Sequence, residues 1–215
     1  MFTPPAFRLD DPESIAALIA GRAFALLVTA GAEGPEANHL PLLHRPAVAP
    51  ANPGQGRLYG HLAAANPQCA SLRRLAEEGG RALAVFSGPH AYVSPGLYRP
   101  GPAVPTWNYL AVQVSGPVTL LDDGETEALL SALTETYEAD RPQPWRLDGQ
   151  DPAGLARLRR AVLGFAIATE RVEAKAKLSQ NRSAEDRAGV AAGLAAEADP
   201  EARETAAWMR RLGIV

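Results

Sequence analysis

A chain of 215 residues with 47% hydrophobic content is long enough to bury one substantial core in the ordinary globular manner. Its formal charge of −3 excludes a global pull toward nucleic acid or anionic membrane, so any polyanion site must be local. The single cysteine, Cys69, excludes an internal disulfide framework and a multi-thiolate metal site. With no long apolar run and no basic-then-apolar leader, the expectation is a soluble, cytoplasmic protein.

After an extended, proline-bearing arm, Asp11-Pro12-Glu13 predicts a short helix over 12–20 stopped by Gly21. Residues 23–30 read as a buried strand, and GAEGPE as the hairpin connection to a second strand at 37–43. Residues 44–56 are rich in proline and glycine and predict a mobile loop, with strand character resuming over 57–61. Asn66-Pro67 caps an amphipathic helix carrying Cys69, Leu72, Leu75 and Ala76 on one stripe and closed by Gly79-Gly80.

A strand over 81–87 is followed by a turn at GPH and a short strand at 91–93, and residues 106–121 hold a long strand broken at Gly116-Pro117. A helix over 123–138 places Leu129, Leu130, Leu133 and Tyr137 on one face, and another covers roughly 151–162. A last strand over 164–177 sets Arg171, Glu173, Lys175 and Lys177 opposite Val172, Ala174 and Ala176, a charged face that by default would be solvated. Ser183 with Asp186 starts one C-terminal helix, and Asp199-Pro200-Glu201 starts another that ends at Gly213. Six or seven strands with helices at the connections suggest a small barrel, not a doubly wound sheet.

Polar groups gather where strands end, at Asn38-His39-Leu40, at His61 to Gln68, at Pro105 to Tyr109, and at Lys177 to Arg182. The four histidines, His39, His44, His61 and His90, have no HxH or HExxH spacing, so no metal site is expected. Cys69 sits on its helix's apolar stripe and is expected to be packed rather than reactive. Trp107 and Tyr109 are open to two readings, packing or the wall of a ligand site. No catalytic acid or base is identified.

The strings MFTPPAF, ANHLPLL, GHLAAANPQ, VFSGPHAYVSP, VPTWNY and KLSQNRSAEDRAGV, in this order, resemble the successive motifs of the PaiB-like, FMN-binding negative transcriptional regulators. The resemblance implies a mainly β fold with added helices, a split β-barrel of the FMN-binding, pyridoxamine-phosphate-oxidase-like type, forming a homodimer. It implies an FMN-binding domain over 1–180 with inserted helices, and a helical extension over 181–215 packing on the barrel or the partner. It further implies Asn38, His39 and Leu40 along the flavin, His61 and Asn66 near the phosphate, and Lys177, Gln180, Asn181 and Arg182 at the dimer-related edge, with Trp107 covering the ring. Where the family commonly carries an arginine this chain has Ala64. Weak retention of FMN follows, with the N–H groups at the Asn66-Pro67 helix start supplying the remaining phosphate affinity.

The function this implies is a negative transcriptional regulator acting indirectly or as a sensor of flavin or a related anionic ligand. The alternatives are a flavin-dependent oxidoreductase acting on a small molecule, and a flavin- or haem-binding storage module. Direct DNA binding is disfavoured, because residues 188–204 carry Arg203 against Glu197, Asp199, Glu201 and Glu204.

Overall fold

The computed structural model describes residues 1–46, 56–147 and 150–215. The contacts divide the chain into two units, Met1–Arg22 with Phe86–Gln113 and Glu173–Val215, and Ala23–Val85 with Val114–Val172. The architecture is mainly antiparallel β with helices. Its strands follow the hydrogen-bonded order β2-β1-β5-β6-β7-β4-β3, with β8 also pairing β6. These are β1 (Phe24–Gly31), β2 (Gly34–Pro41), β3 (Leu43–Pro46), β4 (Gly56–Ala63), β5 (Arg81–Val93), β6 (Thr106–Leu120), β7 (Val162–Ala168) and β8 (Arg171–Lys177). No helix among the described residues is long and apolar enough to cross a membrane.

In the Ala23–Val85 and Val114–Val172 unit, β1 buries Ala25, Leu27 and Thr29 at alternate positions and turns at Ala32-Glu33 into β2, pairing Leu27 with Asn38 and Thr29 with Glu36. Helix α2 (Gln68–Glu78) packs on β1 through Cys69, Leu72 and Leu75, all buried, and ends at Gly79 in the left-handed conformation. Helix α3 (Asp123–Glu138), held by a complete capping box between Asp122 and Glu125, lies against β7 and β4. Its buried face is Thr126, Leu129, Ala132 and Leu133, while Tyr137 is exposed, so the stripe expected from spacing is rotated toward the small residues. Helix α4 (Pro152–Arg159) is shorter than expected because β7 already begins at Val162.

In the other unit, α1 (Pro12–Gly21) starts as its sequence predicts, with Asp11 accepting from the Ser14 N–H at 2.9 Å, and buries Leu18 and Ile19. Helices α5 (Ala184–Ala196) and α6 (Pro200–Arg211) pack on each other and bury Val190, Leu194, Ala206, Trp208 and Met209. Ser183 and Asp199 cap them through the N–H groups of Asp186 and Glu201.

Five strand expectations are corrected. The segment 44–56 is not a loop throughout: β3 reaches Pro46 and β4 begins at Gly56, and residues 47–55 lie outside the described residues. The GPH motif does not end a strand. β5 runs on to Val93, and only its inward phase slips by one residue, with Gly88 and Pro89 both buried. The expected single strand over 164–177 divides into β7 and β8 at Thr169-Glu170, where the Glu170 N–H folds back onto the Ala168 carbonyl at 3.0 Å. The charged face of β8 is not solvated throughout: Arg171 is exposed, but Lys175 is buried, donates to the Phe2 carbonyl at 3.1 Å and lies over the Tyr109 ring.

Gly116-Pro117 does not break β6, whose alternation of buried residues continues unchanged from Asn108 to Val118. The glycine serves a close approach: a β-carbon there would meet the Ala168 carbonyl oxygen at 1.7 Å. Gly116→Ala is therefore expected to destabilise the fold by about 3 kcal/mol or more, since the obstacle is backbone. Gly21→Ala, with nothing within 4 Å of the added methyl, should be neutral or stabilise by up to about 1 kcal/mol. Urea midpoints of the two variants measure the contrast.

Candidate functional site

The structure distributes the site residues expected from sequence over both units. In the Ala23–Val85 and Val114–Val172 unit, Asn38 and Asn66 both bond to Gln68. Asn38 Nδ2 donates to Gln68 Oε1 at 2.8 Å, and Asn66 Oδ1 accepts the Gln68 backbone N–H at 2.9 Å. Gln68 is 1% exposed, and its Nε2 reaches Thr29 Oγ1 at 3.0 Å and the carbonyls of Leu27 and Glu36 at 3.3 Å. Strand alternation puts the Leu40 side chain inward on the face of Asn38, whereas His39 is exposed on the other face and stacks on Phe24 at 5.8 Å.

The start of α2 carries none of the open donors expected there. The N–H groups of Gln68, Cys69 and Ala70 are taken by Asn66 Oδ1, the Asn66 carbonyl and the Pro67 carbonyl, and Ala64 is exposed with its N–H on the Ala161 carbonyl. Asn66, one residue before the Pro67 cap position, thus occupies N–H donors that an anion would need. His61, on β4, is half-buried, and burial holds its pKa below the ordinary value, as it does for His44. The neutral imidazole brings no charge to a phosphate. Its Nδ1 is buried with no partner among the described residues.

The remaining residues lie in the other unit. Trp107 is 52% exposed and Tyr92 48%, so neither is core in this chain. Their rings meet edge-on at 5.9 Å, with His90 tilted beside Trp107 at 6.0 Å. Lys177 Nζ donates to Thr106 Oγ1 at 2.5 Å and to the Trp107 carbonyl at 2.8 Å. Burial of this ammonium lowers its pKa; Tyr109 opposes the shift and Lys175 adds to it.

The loop after Lys177 turns on Ser179, whose φ of 66° is unusual for a residue other than glycine. Ser179 Oγ donates to the fully buried Asn108 Oδ1 at 3.1 Å. Gln180 spends both ends of its amide on the same loop, accepting from the Leu178 N–H and donating to the Ala176 carbonyl. Asn181 is exposed. Arg182 lays its guanidinium 4.5 Å from the Tyr98 ring centroid and, with Tyr98, Arg99 and Asp186, lines an open cleft of about 520 Å³. Among the described residues that guanidinium has no acceptor.

Residues 1–171 match the family described as "Putative FMN-binding domain". The chain is 33% identical over 211 residues to the Bacillus subtilis (strain 168) protein called "Protease synthase and sporulation protein PAI 2", covering 97% of this chain and 96% of that one. It belongs to the PaiB-like, FMN-binding family. Two solved structures share its split-barrel fold. The FAD and heme binding protein from Mycobacterium smegmatis is 19% identical over 84% of this chain and 78% of its own, with a TM-score of 0.58. The flavocytochrome Anf3 from Azotobacter vinelandii is 14% identical over 79% of this chain and 69% of its own, with a TM-score of 0.56.

In this PaiB-like chain, sequence reasoning passed over Thr29 and Glu36, and placed Gln68, Asn108 and Ser179 in polar clusters without giving them a role. Their signal is weak because each is a single polar residue in an apolar or turn setting. A glutamine at the first position of an amphipathic helix that faces inward was the one legible hint.

The depressed pKa of His44 and His61 gives stability a pH dependence of definite sign. The unfolded chain takes up protons near 6.5 and the folded chain only below that, so their contribution is complete above about pH 6.5 and declines as pH falls through the folded values. His61→Gln should lose less stability than the parent between pH 7.5 and 5.5, as read by urea midpoints at the two pH values. An equal loss would mean that His61 is not protected from protons.

Proposed function

We propose that this chain is a flavin-binding, PaiB-like negative transcriptional regulator, homodimeric and cytoplasmic, that senses FMN or a related anionic ligand and acts indirectly. The observation that carries the reading is the kinship to the Bacillus subtilis relative, which runs over nearly all of both chains. The chemistry of the residues fits a flavin. Asn38 offers a positioned amide, Trp107 and Tyr92 offer open aromatic faces, and Lys177 and Arg182 bring cations with N–H donors to spare.

The site is proposed in two parts, tested separately: Asn38, His39, Leu40, His61 and Asn66 in one unit, and Trp107, Lys177, Gln180, Asn181 and Arg182 in the other. Within them Lys177 and Arg182 are the proposed anion contacts, because burial disfavours the charged form of His61 and Asn66 Oδ1 already takes the Gln68 N–H. Gln180 shapes the loop. Residues 1–180 form the proposed flavin-binding domain and 181–215 its helical extension.

Indirect action is favoured by how the C-terminal helices use their charges. Arg203 caps the Glu197 and Ala198 carbonyls, and Glu201 and Glu204 pair with Arg22. Over residues 188–204 Arg203 is the one basic residue against four acidic ones, a balance unsuited to a nucleic-acid groove.

Titration with FMN and riboflavin tests the anion contacts. Lys177→Ala and Arg182→Ala should each weaken FMN by about 10-fold or more, the worth of a charge-assisted hydrogen bond, and leave riboflavin nearly unchanged. Equal losses for both ligands would assign these residues to ring contacts or folding. Light scattering at micromolar concentration should return twice the chain mass, and a monomer mass would remove the dimer from the proposal.

A further inference from the structure

We propose that Gln68 is a positioning residue that fixes the hydrogen-bonding polarity of Asn38, so that Asn38 presents its carbonyl oxygen outward and selects a ligand edge carrying an N–H donor. The inference rests on the reading of Asn38 as a flavin contact. On a flavin the matching group is the imide N–H of the isoalloxazine pyrimidine ring.

The hydrogen bonds from Glu36 to Asn38 form a chain that has only one direction. An amide nitrogen donates and an amide oxygen accepts, and an ionised carboxylate or a backbone carbonyl can only accept. At one end, Thr29 Oγ1 lies 3.2 Å from Glu36 Oε2 and must donate its proton to that carboxylate. Thr29 Oγ1 is then free to accept from Gln68 Nε2 at 3.0 Å. The two carbonyls on the same side of Gln68, those of Leu27 and Glu36 at 3.3 Å, demand a donor as well.

Turning the Gln68 amide over would set Oε1 against both carbonyls in a site that is 1% exposed, leaving buried acceptors facing one another. Gln68 Oε1 is therefore held toward Asn38, and Asn38 must answer with Nδ2, at 2.8 Å. What remains of Asn38 for a ligand is Oδ1, an acceptor with no partner among the described residues, beside the second Nδ2 proton, with the two held in a fixed order. Asn38 is half-buried, so this oxygen stands where a ligand can reach it. An isolated asparagine turns over freely and exchanges the places of its acceptor and its donor. This one cannot, and the cause is a residue one helix away from the ligand.

Two measurements test the inference on the full chain. The first needs no ligand. In 15N-labelled protein the side-chain amide protons of Gln68 and Asn38 should exchange with water at least about 10-fold more slowly than those of exposed Asn181, since both groups donate inside the relay. Exchange of the Asn38 amide as fast as that of Asn181 overturns the polarity.

The second compares FMN with its 3-methyl derivative, which lacks only the imide proton. The parent should favour FMN by about 10-fold, and Gln68→Met should bring the two ligands to within about 2-fold of each other while FMN still binds. A parent that binds both alike overturns the selection of a donor. Thr29→Val, which cuts the relay one step further away, guards against a Gln68 variant that fails to fold and should reduce the preference in the same direction. If the parent binds no FMN at all, the flavin reading and the ligand half of the inference both fall. The amide exchange then still decides the polarity.

Discussion

The buried amide of Gln68 ties helix α2 to both strands of the β1–β2 hairpin. Helix α2 packs on β1 through Cys69, Leu72 and Leu75, a contact that is apolar and so tolerant of sliding. Gln68, at the start of that helix, removes the freedom. It bonds to the Leu27 carbonyl on β1, to the Glu36 carbonyl on β2 and to the side chains of Thr29 and Asn38, one on each strand. A shift of the hairpin by one residue would turn Thr29 and Asn38 to the opposite face and leave the amide unsatisfied in the core. Loss of such a buried group's partners costs about 1–3 kcal/mol, a large part of a typical domain's margin. The polar group thus specifies an arrangement that the apolar contacts merely permit.

The loop at 177–182 meets a comparable demand by different means. Its backbone passes through a left-handed conformation at Ser179 without the help of a glycine, at a cost of order 1 kcal/mol or more. The surroundings over-determine it. Ser179 Oγ is bonded to Asn108, Asn108 lies against the Met209 sulfur, and Gln180 clamps the turn from both ends. A side chain that serves a ligand directly has polar atoms to spare, and Gln180 has none. Lys177 and Arg182, at the two ends of the same turn, do have them, and the turn sets how far apart they stand.

The fold was legible in the sequence to the extent that its signals were local. Asp11-Pro12, Ser183 and Asp199-Pro200 each predicted a helix start realised in the bond between a cap and a backbone N–H, while after Asn66-Pro67 the helix begins one residue later, at Gln68, with Pro67 at the cap position. What misled was punctuation whose meaning depends on a distant partner. Gly116 reads as a break until the Ala168 carbonyl is seen in the space of its missing side chain, and Gly88-Pro89 reads as a turn until β5 is seen to continue through it. Lys175 reads as solvated because its partners, the Phe2 carbonyl and the Tyr109 ring, lie 173 and 66 residues away in sequence. The candidate site was legible as a set of motifs and not as a set of roles. Asn66, Gln180 and His39 stand in those motifs, yet two of them serve the backbone and the third faces away from Asn38.

That sorting separates two kinds of recognition. Around Asn38 every group but the Glu36 carboxylate is neutral, and direction rather than charge is what the network supplies. Such a site contributes modest affinity and strong discrimination, because a ligand with the wrong polarity leaves two acceptors facing each other out of water. Lys177 and Arg182 supply the converse: charge-assisted donors that would hold any anion of suitable size with little regard for the rest of the molecule. Each unit by itself thus offers one kind of selection, the first for an N–H donor at a fixed place and the second for negative charge.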